Sequence, residues 1–235
     1  KKGTGEPADT PPSHIKVLNL SLILPEEIRI LKTTMAEEGG AGGYTRMDYI
    51  VVEEQIARMK PQQASYLLAH ELFHVLTRNN PDFREKMYKL IGFSIAPEEF
   101  EVPADLRDVV ITNPDVNRFD SYARFRIKGE ERPCAMLIYA NKPYEGGSFF
   151  NYLTIGLMPL KNGKAEQKDG KTVVYGIKDA ENFFEQVGRN TDYIINPEEI
   201  LAENFAFLLT RKPVTETPEL IEKMRQALQP QADRH

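Results

Sequence analysis

The stretch AHELFHVL, residues 69–76, restricts what this chain can fold into more than any other feature. It lies within residues 60–81, where the apolar spacing predicts a strong helix that ends before Pro81. On a helix, His70 and His74 lie one turn apart on the same face. Apolar side chains surround both imidazoles, and burying two polar rings without partners would be costly. The stretch therefore predicts a helix with a polar site on an otherwise apolar surface.

The order of His70, Glu71 and His74 is that of the HExxH motif, which carries two metal ligands and a general base. Two imidazoles at positions i and i+4 can direct nitrogen atoms at one ion about 2.0–2.1 Å away. Glu71 is offset around the helix, close enough to take a proton from a water on that ion. The alternative is that the histidines are half-buried structural residues and Glu71 faces solvent. We expect one Zn²⁺ per chain at this motif.

A third protein ligand has to come from elsewhere, because a catalytic zinc is usually held by three side chains and a water. The other two histidines lie near the chain ends, and the single cysteine, Cys134, lies in a strand-like segment, so a carboxylate is the better candidate. Glu199 is favoured because Glu203 follows one turn later and can orient a ligand histidine. Glu203 as the ligand is the alternative. Asn196 and Glu199 also match a capping box, which would explain Glu199 but not Glu203.

The rest of the chain indicates helices interrupted by a β-rich segment. The expected elements are an apolar run or strand at 14–24, a helix at 25–38, a flexible connection at 39–43, a strand at 47–52, helices at 60–81 and 81–93, strands within 124–160 and at 171–177, and helices at 179–188, 196–210 and 217–229. We predict the α+β class, with a mainly helical core and a β-rich insertion at about 95–178. Residues 1–13 are expected to be a linker or disordered, and residues 14–235 a single domain.

Composition excludes some classes of protein. Hydrophobic residues make up 41% and charged residues 28% of the chain, as in soluble globular domains. A net charge of −5 without a basic run gives no reason to expect a nucleic-acid partner, and no apolar run is long enough to cross a bilayer. One cysteine rules out an internal disulfide framework. The polar, Pro-rich opening indicates a linker left by processing, which leaves secretion, a periplasmic location and lipid anchoring as open alternatives.

Two segments of the sequence, HELFH at 70–74 and EILAENFAF at 199–207, together resemble the gluzincin metallopeptidases. The second segment is similar to the glutamate helix of lethal-factor-like peptidases and, more loosely, to that of thermolysin-like enzymes. Uncharacterised bacterial zinc metallopeptidases also look similar. The resemblance covers only these two helices. It implies a zincin-like domain that hydrolyses peptide bonds in a peptide or protein substrate.

Carried over residue by residue, the resemblance implies that His70, His74 and Glu199 bind zinc and that Glu71 is the general base. Glu203 would orient a ligand from outside the coordination sphere. Tyr193 would donate to the oxyanion, and its alternative role is packing at a helix entry.

The order of elements also suggests how a peptide could bind and what else the site could be. The strand at 47–52 could offer the edge along which a peptide substrate lies. The competing function is a non-catalytic zincin-like module that binds metal or a partner. A fourth protein ligand that closes the site would favour that alternative.

Overall fold

A computed structural model describes residues 20–230 of the chain. The predicted linker at 1–13 lies outside the described residues, as does the first part of the apolar run at 14–24. Residues 20–24 form no strand, and Leu20 and Leu22 pack against the main hydrophobic core instead. None of the helices in this described part of the chain is long and apolar enough to span a membrane.

Helices and strands are distributed along the whole described range, which confirms the mixed α+β class. The helices are α1 Pro61–Asn79, α2 Pro81–Leu90, α3 Phe183–Val187, α4 Pro197–Thr210 and α5 Pro218–Ala227. The strands are β1 Arg29–Thr33, β2 Gly43–Arg46, β3 Tyr49–Glu53, β4 Phe93–Ile95, β5 Val110–Ile111, β6 Ser121–Ile127, β7 Glu130–Ala140, β8 Leu153–Lys161, β9 Lys164–Ala165, β10 Gln167–Lys168, β11 Lys171–Thr172 and β12 Tyr175–Gly176. The predicted helices at 60–81, 81–93, 196–210 and 217–229 are confirmed, with ends shifted by a few residues.

The predicted helix at 25–38 is wrong. This segment contains β1, which pairs in parallel with β3, and a short 3₁₀ turn at Ala36–Glu38. The proline and acidic residues at its start resemble a helix opening, but the run RILKT has β-branched and aliphatic residues that suit a strand. Strand pairing with β3 gives its backbone the hydrogen-bond partners that a helix would have supplied.

The first sheet has the order β1-β3-β2, so β3 lies in the centre. The strand predicted at 47–52 is confirmed, but its predicted role as an exposed edge is wrong, because both of its sides are paired. The outer strand next to α1 is β2. The connection predicted at 39–43 contains a turn at Gly39 and Gly40, where positive φ angles of 67° and 83° suit glycine, and its last residue already belongs to β2.

The second sheet has the order β12-β8-β7-β6-β4, with β5 added on β7 and β9 on β8. Aromatic residues of this sheet and of the helices share one hydrophobic cluster: the ring centroids of Phe125 and Phe183 are 5.5 Å apart. The strands of the β-rich segment therefore contribute side chains to the main core. They do not form an insertion beside a helical core. Residues 96–120, which connect β4 to β6, contribute Phe100 and Leu106 to a second cluster with β7 and β8.

Helices α1 and α4 pack against each other inside the main core, and this pairing positions the site. Phe73 of α1 and Phe205 of α4 are both fully buried, with ring centroids 5.5 Å apart. Asn196 caps α4 by accepting the N–H of Glu199 at 2.9 Å, and Pro197 follows at the first helical position. The N-terminal half of α4 is buried almost continuously, so polar side chains there need partners.

Candidate metal centre

The two histidines of α1 converge on one carboxylate of α4. His70 Nε2 lies 2.9 Å from Glu199 Oε2, and His74 Nε2 lies 3.7 Å from the same oxygen. Tetrahedral ligands about 2.0–2.1 Å from an ion would lie about 3.3 Å apart, and the two distances bracket this value. All three side chains are buried, and their ligand atoms lie within 4.8 Å of one another. His70, His74 and Glu199 can therefore hold a metal ion, with Glu199 in the position expected for the third ligand.

The second nitrogen of each imidazole also meets a carboxylate. His70 Nδ1 lies 3.1 Å from Glu203 Oε1, and His74 Nδ1 lies 3.0 Å from Glu198 Oε1. A carboxylate can only accept, so each Nδ1 donates its proton, and each Nε2 can bind metal once it carries no proton. Carboxylate partners of this kind orient ligand histidines in metal sites. Glu203 is where the sequence placed it, whereas Glu198 was not anticipated.

Glu198 lies in a fully formed hydrogen-bond network beneath His74. Thr77 Oγ1 donates to Glu198 Oε1 at 2.5 Å, and Tyr88 Oη donates to Oε2 at 2.6 Å. Glu198 is only 2% exposed. Glu198 was not singled out from the sequence, because only the helix face shared by Glu199 and Glu203 was considered there. Glu198 is one position earlier and therefore lies on a different face of the helix. The signal in the sequence was that Glu198 adjoins Glu199 at the start of a helix that is otherwise rich in apolar residues.

One imidazole nitrogen of the site lacks a partner. His74 Nε2 is buried and forms no hydrogen bond within the described structure. A buried polar atom without a partner is uncommon and costs free energy, and a metal ion would satisfy it. Acidic groups also exceed basic ones: five carboxylates surround two imidazoles and Arg78 (Glu71, Asp115, Glu198, Glu199 and Glu203). A divalent cation would offset part of this excess.

The protonation of the site reflects the close pairing of its charges. Burial lowers the pKa of His70, but hydrogen bonds to Glu199 and Glu203 outweigh it and hold that pKa well above its usual value. Burial also lowers the pKa of His74, while the charges of Asp115 and Glu199 raise it to about 9. Burial raises the pKa of Glu199, but the charges of His74 and His70 reverse this, so its pKa is lowered overall.

Glu71 is 2% exposed and lies between α1 and β2. Thr45 Oγ1 donates to Glu71 Oε2 at 2.8 Å, which fixes one carboxylate oxygen. Gly43 leaves the space that the other oxygen uses: a Cβ atom there would lie 2.8 Å from Glu71 Oε1. Burial raises the pKa of Glu71 more than the charges of His74 and His70 lower it. Glu71 is thus held beside the two histidines instead of facing solvent.

Tyr193 lies at the rim of the centre. Its ring centroid is 6.4 Å from that of His70, and the residue is 42% exposed. Partial burial and nearby carboxylates, first that of Glu199, raise the pKa of Tyr193, so its hydroxyl keeps its proton. It lines a pocket of about 330 Å³ together with Gly43 and Asp115. The structure thus brings all six predicted site residues into one region.

Two further polar residues, Asn113 and Asp115, reach the centre from the connection at 96–120. Asn113 Nδ2 donates to Glu199 Oε1 at 2.6 Å. A carboxylate oxygen of Asp115 lies within 4.8 Å of ligand atoms of His74 and Glu71. Neither residue was anticipated, because they lie in an irregular segment that carries no motif. Cys134, the weaker candidate, is buried in β7 within the main core and belongs to neither group of clustered ligand atoms found in residues 20–230.

Comparisons of this chain with protein-family models, with curated proteins and with solved structures found no match.

Proposed function

We propose that this protein is a zinc-dependent peptidase of the gluzincin type, with a zincin-like catalytic domain that hydrolyses peptide bonds. The observation that supports this most is the convergence of His70 Nε2 and His74 Nε2 on Glu199, with each Nδ1 held by a further carboxylate. Two imidazoles and one carboxylate are a ligand set of catalytic zinc sites, and three ligands leave one position open. Glu71 is buried beside these ligands, and a purely structural metal site would not need a carboxylate there.

The metal and the protein would divide the chemistry between them. Zinc, when bound, supplies Lewis-acid polarisation of the scissile carbonyl and makes a water more acidic. The protein contributes Glu71, which accepts the proton of the attacking water and passes it to the leaving amine. Thr45 holds Oε2 of this carboxylate, which leaves Oε1 for the proton. The raised pKa of Glu71 suits this role, because a base is most effective when its pKa is close to the working pH.

Tyr193 is the proposed donor to the developing oxyanion. Its hydroxyl keeps its proton at neutral pH because its pKa is raised, and its position at the rim of the centre allows contact with a bound peptide. Replacement of Tyr193 by Phe is expected to lower kcat more than it changes KM, because the hydrogen bond would form mainly in the transition state.

The peptide would lie along β2. Glu53 donates its N–H to the carbonyl of Gly42, so the backbone of Gly42 faces β3 and that of Gly43 faces the free side. A peptide in extended conformation can pair with such an edge through its main chain, and these hydrogen bonds would contribute to its affinity. β2 passes close to Glu71, since a Cβ atom on Gly43 would lie 2.8 Å from Glu71 Oε1, and this proximity supports the placement of a peptide there.

The test combines metal content with turnover. We expect about one zinc per chain by inductively coupled plasma mass spectrometry, lost in Glu199→Ala and retained in Glu71→Gln. A peptide library analysed by mass spectrometry should be cleaved by the wild type and left intact by Glu71→Gln. If Glu203→Ala loses zinc instead of Glu199→Ala, the third ligand lies one turn along. Cleavage by Glu71→Gln, or no zinc after reconstitution, would contradict the proposal.

A second candidate function is a non-catalytic metal-binding module. The observation that favours it is that the Asp115 carboxylate lies within 4.8 Å of ligand atoms of His74 and Glu71, which form a second cluster of ligand atoms at the centre. Structural zinc sites typically have four protein ligands. The two functions differ in whether an external ligand can reach the metal.

A further inference from the structure

The two oxygen atoms of the Glu199 carboxylate have different partners. Oε2 faces both imidazoles, at 2.9 Å from His70 Nε2 and 3.7 Å from His74 Nε2. Oε1 accepts a hydrogen bond from Asn113 Nδ2 at 2.6 Å, and within the described residues no other donor forms a hydrogen bond with this oxygen. One oxygen is therefore directed at the candidate ligand atoms of the histidines, while the other is already occupied.

The orientation of the Asn113 amide follows from both of its contacts. Its Oδ1 atom accepts the backbone N–H of Asp115 at 2.8 Å, so its NH₂ group is the end that points at Glu199. A carboxylate oxygen can only accept, so the contact with Glu199 also requires the amide nitrogen there. Because this donor is uncharged, it satisfies Oε1 without neutralising the carboxylate, whose charge stays available to a cation.

Asn113 is placed by the second sheet and by α1. It follows β5 by two residues, and β5 pairs antiparallel with β7. The carbonyl of Asn113 accepts the N–H of Val116 at 3.1 Å, which closes a turn. The carbonyl of Pro114 in this turn accepts from Arg78 Nη2 of α1 at 2.6 Å. The turn that carries Asn113 is therefore fixed at both sides before it meets Glu199.

We propose that Asn113 is a positioning residue of the metal centre, which turns Oε2 of Glu199 towards the histidines and keeps Oε1 off the ion. This inference rests on the proposed zinc peptidase function. A carboxylate with two free oxygens can bind an ion through both, which would crowd the position that a catalytic zinc leaves to water. With Oε1 engaged, Glu199 offers a single oxygen. The second sheet thereby supports a centre whose proposed ligands all lie on helices.

The test separates the contact with Glu199 from the turn at Asp115. Asn113→Ser keeps a hydroxyl that can accept the Asp115 N–H, as serine does in turns of this kind, but its side chain is too short to reach Glu199. Asn113→Ala removes both contacts. Asn117→Ser, at an exposed position of the connection at 96–120, is the matched control. Zinc affinity is measured by competition with a chelator, and the visible absorption of the cobalt-loaded proteins reports how many ligands surround the ion.

We expect Asn113→Ser and Asn113→Ala both to bind zinc about 10- to 100-fold more weakly than wild type, because the Glu199 carboxylate is no longer oriented. Their cobalt absorption should also be weaker than that of the wild type, since Oε1 is free to join Oε2 on the ion and a higher coordination number weakens these bands. Asn117→Ser should match wild type in both measurements. Circular dichroism and urea unfolding in EDTA establish that each variant is folded.

Two outcomes would overturn the positioning role by reducing Asn113 to a structural residue. If Asn113→Ser matches wild type while Asn113→Ala binds zinc weakly, Asn113 only supports the turn. A weaker zinc affinity with an unchanged cobalt spectrum would mean that Glu199 meets the ion in the same way without Asn113.

Failure of this inference can be told apart from failure of the proposed function. If the wild type takes up zinc and cleaves peptides, and both Asn113 variants match it in zinc affinity and cobalt spectrum, only the positioning role is overturned. If neither the wild type nor any variant takes up zinc or cobalt, the proposed function is overturned and the role of Asn113 with it.

Discussion

Each histidine of the HELFH stretch directs its Nδ1 atom at a glutamate of α4, and one of these two glutamates, Glu198, was not indicated by the spacing. Nδ1 of His70 and of His74 each lie about one hydrogen-bond length from a glutamate of α4, Glu203 and Glu198 respectively. Such partners fix the tautomer and the orientation of the ring. The orientation of both candidate ligands therefore depends on two residues outside the proposed ligand set.

Glu198→Gln is expected to weaken zinc binding by about 10- to 100-fold, the usual effect of losing such a partner. Glu198 accepts from His74, Thr77 and Tyr88, and a glutamine amide has only one oxygen to accept with. Zinc affinity is measured by competition with a chromophoric chelator. Glu185→Gln, at an exposed position of α3, serves as the control and should bind zinc like wild type. Equal affinities of the two variants would mean that Glu198 does not support His74.

Gly43→Ala is expected to lower kcat at least about tenfold while zinc stays bound. The new Cβ atom would lie 2.8 Å from Glu71 Oε1, so the carboxylate has to move, and small displacements of a catalytic group are costly. Activity and zinc content are measured on the same preparation. Gly42→Ala is the matched control, because no atom lies within 4 Å of the Cβ position there. A similar loss in both variants would point to a general effect on the loop.

At the scale of elements, the helices α1 and α4 were predictable and their contact was not. Apolar spacing and proline positions indicated both helices. Asn196 caps α4 by accepting the backbone N–H of Glu199, so the Glu199 side chain is available to His70. The helix predicted at 25–38 failed because pairing of β1 with β3 outweighs the local helix-opening signal. Strand partners far apart in the chain cannot be deduced from one segment alone.

The packing of α1 on α4 should control both stability and the site. Phe205→Ala is expected to lower the free energy of unfolding by about 3–5 kcal/mol, because a fully buried ring in contact with Phe73 leaves a cavity. Urea unfolding in the presence of EDTA measures this without a contribution from metal. Phe150→Ala, whose ring is on the surface with 51% of the residue exposed, should change it by less than about 0.5 kcal/mol. Similar values for the two variants would contradict the core assignment.

At the scale of the whole molecule, the metal-free protein should lose stability as the pH rises from about 6.5 to 9. The pKa of His74 is raised to about 9 from an ordinary value of 6.5, so in this range the folded protein binds more protons than the unfolded one. Its contribution is complete below pH 6.5 and lost above pH 9, at most about 3 kcal/mol. Thermal melts in EDTA across this range measure the effect.

Zinc should reverse that trend, because metal binding requires imidazoles without a proton on Nε2. The rise in melting temperature on adding zinc is therefore expected to grow from pH 6.5 to 9, as the competing protons are lost. His70→Ala, in which a ligand is missing, should show little rise at any pH. A zinc effect that is independent of pH in the wild type would argue against histidine ligation.

The sequence by itself determined the chemistry that the chain can offer. The spacing of His70, Glu71 and His74 on one helix, and of Glu199 and Glu203 on another, follows from the helical period and needs no knowledge of the fold. Local periodicity also indicated most of the helices and the β-rich segment. The three-dimensional structure alone decided which groups meet. Glu198, Gly43 and Asp115 reach the site through contacts between segments distant in the chain, and those contacts are selected by burial in a shared core.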